Sequence, residues 1–317
     1  MKNPSNRRKF LKKAALFGAA PMIVPSSVLG LGDKVAPSNR ITVGGIGLGP
    51  RGRKVLSSFL AQPDCRFVAI ADPQKERREI IKRMADRQYE NTDCVTYDDM
   101  SGVLERDDID AVVIATGDRW HTTASVYAAR AGKDIYCEKP CAMNMQECRE
   151  LDEEVTKHKR VFQAGTQRRN VGNFGLAQDL AKTGKLGNMT AVHAGILALQ
   201  DYLEPLPEEP LPDPEIVNWD KWVGPAPMKP YNAEYCKGRW RNHAGFYAAW
   251  RLPEWGAHTI DLCQWAADAD GTAPVEYEAV DDNTIHATYE NGIKLVMRLS
   301  GFKDEGADST LKNPSVL

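Results

Sequence analysis

Short apolar runs alternate with amphipathic stretches through the first half of the chain. Residues 41–45 read as a strand and 51–61 as a helix opening just after a glycine cluster; 66–71 read as a strand and 75–86 as a charged amphipathic helix. A weak strand at 94–97 precedes the all-apolar run 111–115, which suits the buried middle of a parallel sheet. Helix 122–131 should stop at Gly132, a glycine cap, before strand 135–137, helix 145–158 and strand 161–164. Strands alternating with helices of this length predict βαβ units and a doubly wound sheet.

After Gln167 the rhythm changes. A helix over 174–182 leads to a strand at 189–196, and then a proline-rich stretch, 205–214, cannot hold a continuous helix or a central strand. It runs into the aromatic segment 219–231. Period-two alternation at 276–280, 284–289 and 293–299, with Asn291-Gly292 as a hairpin turn, predicts a largely antiparallel sheet. The expected fold class is therefore α/β: a Rossmann domain over 41–165, then an α+β domain with a largely antiparallel open sheet over 166–317.

The first thirty residues read as a targeting segment. Asn6-Arg7-Arg8-Lys9-Phe10-Leu11-Lys12 is a twin-arginine pattern followed by an apolar run, 14–24, that is too short and interrupted for a permanent membrane span. A cleavage region near Gly30 and a linker over 31–40 complete it. The expectation is a periplasmic or exported protein handled by the twin-arginine machinery, which carries folded proteins with cofactors in place. A formal charge of −2 and the lack of a basic stripe interleaved with aromatics argue against a nucleic-acid partner. Seven scattered cysteines give no paired metal-ligand spacing, so no metal is expected and most thiols should be buried.

Gly47-Leu48-Gly49-Pro50-Arg51-Gly52 satisfies G-x-G-x-x-G directly between a strand and a helix. Gly47 permits the tight turn, Gly49 lets the backbone approach a pyrophosphate, and Gly52 lets the helix pack close to the sheet. Asp72 ends the next strand about twenty residues on, where a carboxylate accepts hydrogen bonds from the adenosine ribose. Asp72 would repel a 2′-phosphate, which favours NAD; Lys75, Arg77 and Arg78 keep NADP open. Thr116 and Trp120 follow the fourth strand and are candidates to line the cofactor, with His121 a nicotinamide neighbour or a helix-start residue. Lys139, in Glu138-Lys139-Pro140 at a strand end, is the stronger catalytic candidate: its ammonium can hydrogen-bond a hydroxyl losing a proton, with Glu138 anchoring it or facing the cofactor. Were residues 254–261 helical, Glu254, His258 and Asp261 would share a face, and a carboxylate would orient His258 in a proton relay.

These motifs, with Gly165-Thr166-Gln167-Arg168-Arg169, Trp222-Val223-Gly224-Pro225-Ala226-Pro227 and Trp255-Gly256-Ala257-His258-Thr259-Ile260-Asp261, resemble the glucose-fructose oxidoreductase/inositol dehydrogenase (Gfo/Idh/MocA) superfamily, and within it the twin-arginine-exported bacterial members. The resemblance implies NAD in the first domain, Arg51 in the phosphate turn, Lys139 as catalytic lysine and His258 as the second active-site residue. It puts Glu254 where inositol dehydrogenases carry an aspartate, Gln167 and Arg168 in the cleft near the cofactor, and a cis bond at Lys139-Pro140. It further implies a homo-oligomer formed through the open sheet; the stop at Leu317, after a polar 309–317 that reads as an unfinished loop, fits either a compact variant or an incomplete chain. The implied activity is hydride transfer to or from a sugar, cyclitol or related polyol. Alternatives are an NAD-recycling glycoside hydrolase or lyase holding its cofactor tightly, and a catalytically silent sugar-binding relative.

Overall fold

A computed structural model describes residues 35–196, 202–247 and 251–299. The twin-arginine segment and residues 248–250 and 309–317 lie outside the described residues. The first half runs β1 (Ile41–Ile46), α1 (Pro50–Leu60), β2 (Cys65–Ala71), α2 (Lys75–Tyr89), β3 (Val95–Tyr97), a short α3 (Ser101–Leu104), β4 (Ala111–Ile114), α4 (Asp118–Arg130), β5 (Asp134–Cys137), α5 (Met145–Lys157) and β6 (Phe162–Ala164). All six strands pair in parallel in the order β3-β2-β1-β4-β5-β6. Both faces are covered, which is why β4 reads as an unbroken apolar run. Leu56 and Ile81 pack with Val43, Phe67 and Val113 on one side. Ala124 and Ala128 pack with Ile46, Val112 and Ile135 on the other.

One local difference from the sequence reading bears on the site. Helix α4 begins at Asp118, not at residue 122, because Gly117 supplies an extended N-cap and Asp118 an acidic first turn. Trp120 and His121 thereby lie inside its first turn. Its other end closes at Gly132 (φ +76°) as expected, with Lys133 N donating to Ala128 O and Gly132 N to Ala129 O.

The second half contains a 3₁₀ turn (Gln167–Asn170), α6 (Gly172–Lys182), β7 (Ala191–Gly195), α7 (Trp219–Val223), a π-turn (Tyr235–Arg239), α8 (Arg251–Ala266), β8 (Glu276–Asp281), β9 (Thr284–Thr288) and β10 (Lys294–Arg298). Its sheet has the order β7-β10-β9-β8. β10 pairs antiparallel with β9 and parallel with β7, while β8 and β9 are antiparallel, so the sheet is mixed but mostly antiparallel. Asn291-Gly292 makes the β9–β10 turn, with Gly292 at φ +82°. Helix α8 covers one face through Trp255, Ile260 and Cys263. No helix among the described residues is long and apolar enough to cross a membrane.

Between β7 and α8 the proline-rich stretch forms no helix or strand, as expected. It leads into an aromatic cluster of Trp219, Trp222, Tyr231, Tyr235, Trp240 and Phe246. The Trp219 and Trp222 rings stack 4.7 Å apart. This cluster is stitched to the carboxyl edge of the first sheet. Lys75 N donates to Ile216 O and Asn218 N to Pro73 O, Trp120 Nε1 donates to Lys221 O at 3.1 Å, and Lys221 pairs with Asp98 at 2.8 Å.

Candidate active site at the carboxyl edge of the parallel sheet

The strand order reverses between β1 and β4, and ligands of such sheets bind in the crevice outside that point. A cleft of about 210 Å³ lies there, walled on one side by Gly47, Gly49, Asp72 and Thr116 and on the other by Trp222 and Trp240. Gly47 sits at φ +66°, and a Cβ there would meet the Thr116 backbone at 2.9 Å. Only glycine takes that conformation in that space at little cost. Gly49 caps α1 and Pro50 stands at its first position, so Arg51 and Gly52 supply the first unpaired helix amides. Gly52 is buried against the sheet.

The charge on this cleft fits a dinucleotide. Six cationic side chains line it (Arg51, Arg77, Arg119, Lys221, Lys237, Arg241) against the carboxylates of Asp72, Asp98 and Asp99. That surplus, with a helix N-terminus, suits a pyrophosphate. Asp72, 4% exposed, follows β2 directly and accepts from Gln74 N at 2.9 Å. Burial pushes its carboxyl up to about 6, against the opposing pull of Arg77, the Gln74 bond and Arg78. Thr116 follows β4 and bonds Gly117 O. Trp120 also lines the cleft.

Lys139 lies beyond the cleft, after β5. The Lys139-Pro140 bond is cis. His121, 2% exposed, places Nδ1 2.6 Å from Pro140 O, so it holds this turn in place. Thr122 Oγ1 bonds Cys141 O and Glu147, pinning the turn further. Glu138, 3% exposed, is bound by Arg51 at 2.7 Å, which ties the phosphate turn to the lysine turn. Lys139 Nζ donates to the main-chain carbonyl of Glu254 at 3.1 Å. Burial lowers the Lys139 ammonium below its usual value, partly offset by Glu254, Asp118 and Glu138.

Helix α8 brings Glu254 and His258 to this lysine from the second domain. His258 is 6% exposed, and its Nδ1 has no partner among the described residues. Burial, reinforced by the charges of Lys139, Arg168 and Arg51, pulls its imidazole down to about 4. The ring is therefore neutral near pH 7 and can accept a proton. The expected carboxylate relay is drawn elsewhere: the Glu254 carboxylate accepts from Tyr247, and Asp261 is held by Arg169 at 2.8 Å. Gln167 and Arg168 sit on the 3₁₀ turn after β6, each with a buried polar atom lacking a partner among the described residues. Among the described residues no group of three or more His, Cys, Asp or Glu could hold a metal ion.

Several contributors escaped the sequence reading. Arg119, 6% exposed, lies 3.9 Å over the Trp222 ring and donates to the Trp222 and Val223 carbonyls. Tyr247 holds Glu254, and Arg77 donates to Cys236 O. Each partnership spans a gap that no local pattern reports, apart from Tyr247–Glu254, seven residues apart.

Residues 41–166 match a family model described as an oxidoreductase family with an NAD-binding Rossmann fold, GFO_IDH_MocA. Residues 202–308 match the model of that family's C-terminal alpha/beta domain. A Glycosyl hydrolase family 109 protein of Solibacter usitatus is 31% identical over 46% of this chain and 35% of its own length. Myo-inositol 2-dehydrogenase of Thermotoga maritima is 26% identical over 46% of this chain and 42% of its own. The chain thus spans under half the length of these curated relatives. GenD2 from gentamicin A biosynthesis, solved in complex with NAD, shares the fold with a TM-score of 0.60 at 15% identity, over 86% of this chain and 69% of that one.

Proposed function

Because the chain belongs to the Gfo/Idh/MocA oxidoreductase family, we propose that it transfers a hydride between a sugar, cyclitol or related polyol and NAD. The observation that carries this reading is that helix α8 of the second half gives its Glu254 carbonyl to Lys139 and holds His258 where the Lys139 charge acts on it. Bound nicotinamide supplies the hydride acceptor or donor. Lys139, half-buried and aimed by the Glu254 carbonyl, hydrogen-bonds the substrate oxygen whose proton is lost or gained. Neutral His258 takes or returns that proton through a ring nitrogen. Arg51 and Glu138 keep the phosphate turn and the lysine in register.

A second reading uses the same groups for redox-neutral cleavage of a glycoside, with the cofactor retained throughout. The aromatic segment stitched over the cleft supports it, and so does the likeness to a protein named as a glycosyl hydrolase. One experiment separates the two: purified protein is assayed for net NAD reduction by polyols and for aryl-glycoside cleavage without added NAD, beside Lys139→Met. Hydride transfer to free NAD, falling about 10²- to 10⁴-fold in the variant, is the expected result. Cleavage alone moves the protein to the second reading. Full activity in Lys139→Met removes the role given to the lysine, and neither activity in the wild-type protein leaves a sugar-binding role.

The proposal extends to export by the twin-arginine route, supported by Arg7-Arg8 and the apolar run that follows. Exchanging both arginines for lysine should leave the protein in the cytoplasmic fraction. Unchanged fractionation would reject that assignment.

A further inference from the structure

Among the described residues, several cations near the lysine are held by carboxylates. Arg51 is bound to Glu138 at 2.7 Å, Arg241 lies 3.7 Å from Glu254, and Arg169 is held by both Asp261 and Asp270. Lys139 is surrounded by Glu254, Asp118 and Glu138. Arg168 has no such partner among the described residues, and burial alone shifts it downward, with no acidic neighbour opposing. Its Nη1 is sealed from solvent with no acceptor among the described residues. Its guanidinium lies 5.4 Å from the Trp255 ring and 5.7 Å from the Phe174 ring, surfaces that orient it and supply no negative charge.

Arg168 also belongs to the reacting centre. Its charge is felt by His258, and the Trp255 ring that it faces lies 5.7 Å from the His258 ring. The neighbouring Gln167 carries a buried Oε1 without a partner, and His258 has an unpartnered Nδ1. Leaving a buried guanidinium nitrogen without an acceptor costs free energy that a bound anion would recover. Three polar atoms without partners among the described residues, on two elements at one site, are what a polar ligand would satisfy. We propose that Arg168 forms an anion subsite for a carboxylated sugar of the uronate type, with Gln167 accepting from a neighbouring hydroxyl; this rests on the sugar-oxidoreductase reading and narrows its substrate class. A planar, singly charged carboxylate matches one uncompensated guanidinium between aromatic faces, whereas a phosphate dianion would call for more donors.

The test compares D-glucuronate with D-glucose, and D-galacturonate with D-galactose, on the full-length NAD-loaded protein. Calorimetric binding and the ratio of kcat/KM for acid over neutral sugar are both read. Wild type should favour the acid of each pair. Arg168→Gln should lower that preference about 10- to 100-fold, and Arg168→Lys should restore part of it. Equal binding of acid and neutral sugar by wild type, or equal weakening of both in Arg168→Gln, overturns the subsite. So does preference for D-glucose 6-phosphate over D-glucuronate. Melting curves of the variants check folding, and Arg168→Lys keeps the test valid if Arg168→Gln melts early. Arg168-dependent binding of the acid with no NAD reduction would uphold the subsite and reject the oxidoreductase reading instead.

Discussion

Lys139 and His258 answer the same burial in a complementary way. Desolvation disfavours the charged form of each, leaving a weakened ammonium beside an imidazole pulled down to about 4. The unfolded chain protonates His258 near 6.5, so between about 4 and 6.5 it binds a proton that the folded chain refuses. Stability therefore rises with pH across that window, is fully present above it, and is lost as pH falls. Asp72, pushed up to about 6, acts in the opposite sense, so the His258 contribution is read as a difference. In urea denaturation, the stability at pH 5 relative to pH 7 should be higher in His258→Gln than in the wild-type protein. The acid limb of kcat/KM assigned to His258 should lie near pH 4, and a limb at 6.5 would contradict its burial. Glu254 shows how far a single residue can be read. Its place was visible in the sequence, but helix spacing could not reveal that Lys139 takes its carbonyl while Tyr247 takes its carboxylate.

At the scale of elements, the phosphate turn is where local sequence and local geometry agree most closely. Gly47 has to adopt a left-handed backbone against Thr116, and the spacing of the glycines states that requirement directly. Gly47→Ala should destabilise the fold by about 1–2 kcal/mol and weaken NAD binding, measured by denaturation and by nucleotide titration. Unchanged affinity would show that the turn does not carry the phosphates. The strands and most helices were legible because each is encoded by its own periodicity and its own end signals. Helix α4 was misjudged by four residues, because its start depends on the Gly117 cap rather than on the apolar pattern. That shift matters, since it puts His121 in the first turn of the helix, where it holds the Pro140 carbonyl.

At the scale of the whole molecule, the aromatic segment acts as the outer wall of the cofactor cleft. Arg119 is its main tether: a buried guanidinium on α4 that closes the carboxyl end of α7 and stacks on Trp222. Arg119→Met should cost about 1.5–3 kcal/mol of stability. It should also speed nucleotide release, followed by the loss of bound-cofactor fluorescence after dilution. A slow, unchanged release would show that the wall does not retain the nucleotide. Nothing in the sequence marks Arg119 for this work, because its partners lie more than a hundred positions away and carry no motif. By itself the sequence determined the βαβ rhythm, the glycine turn, Asp72 at its strand end and Lys139 before its proline, because each depends on neighbours a few residues apart. Tertiary structure decided which charges are spent on one another and which are left for a ligand. Asp261 goes to Arg169, Glu138 goes to Arg51, and Arg168 is left without a carboxylate among the described residues, because ion pairing depends on distance in space and on burial rather than on order along the chain.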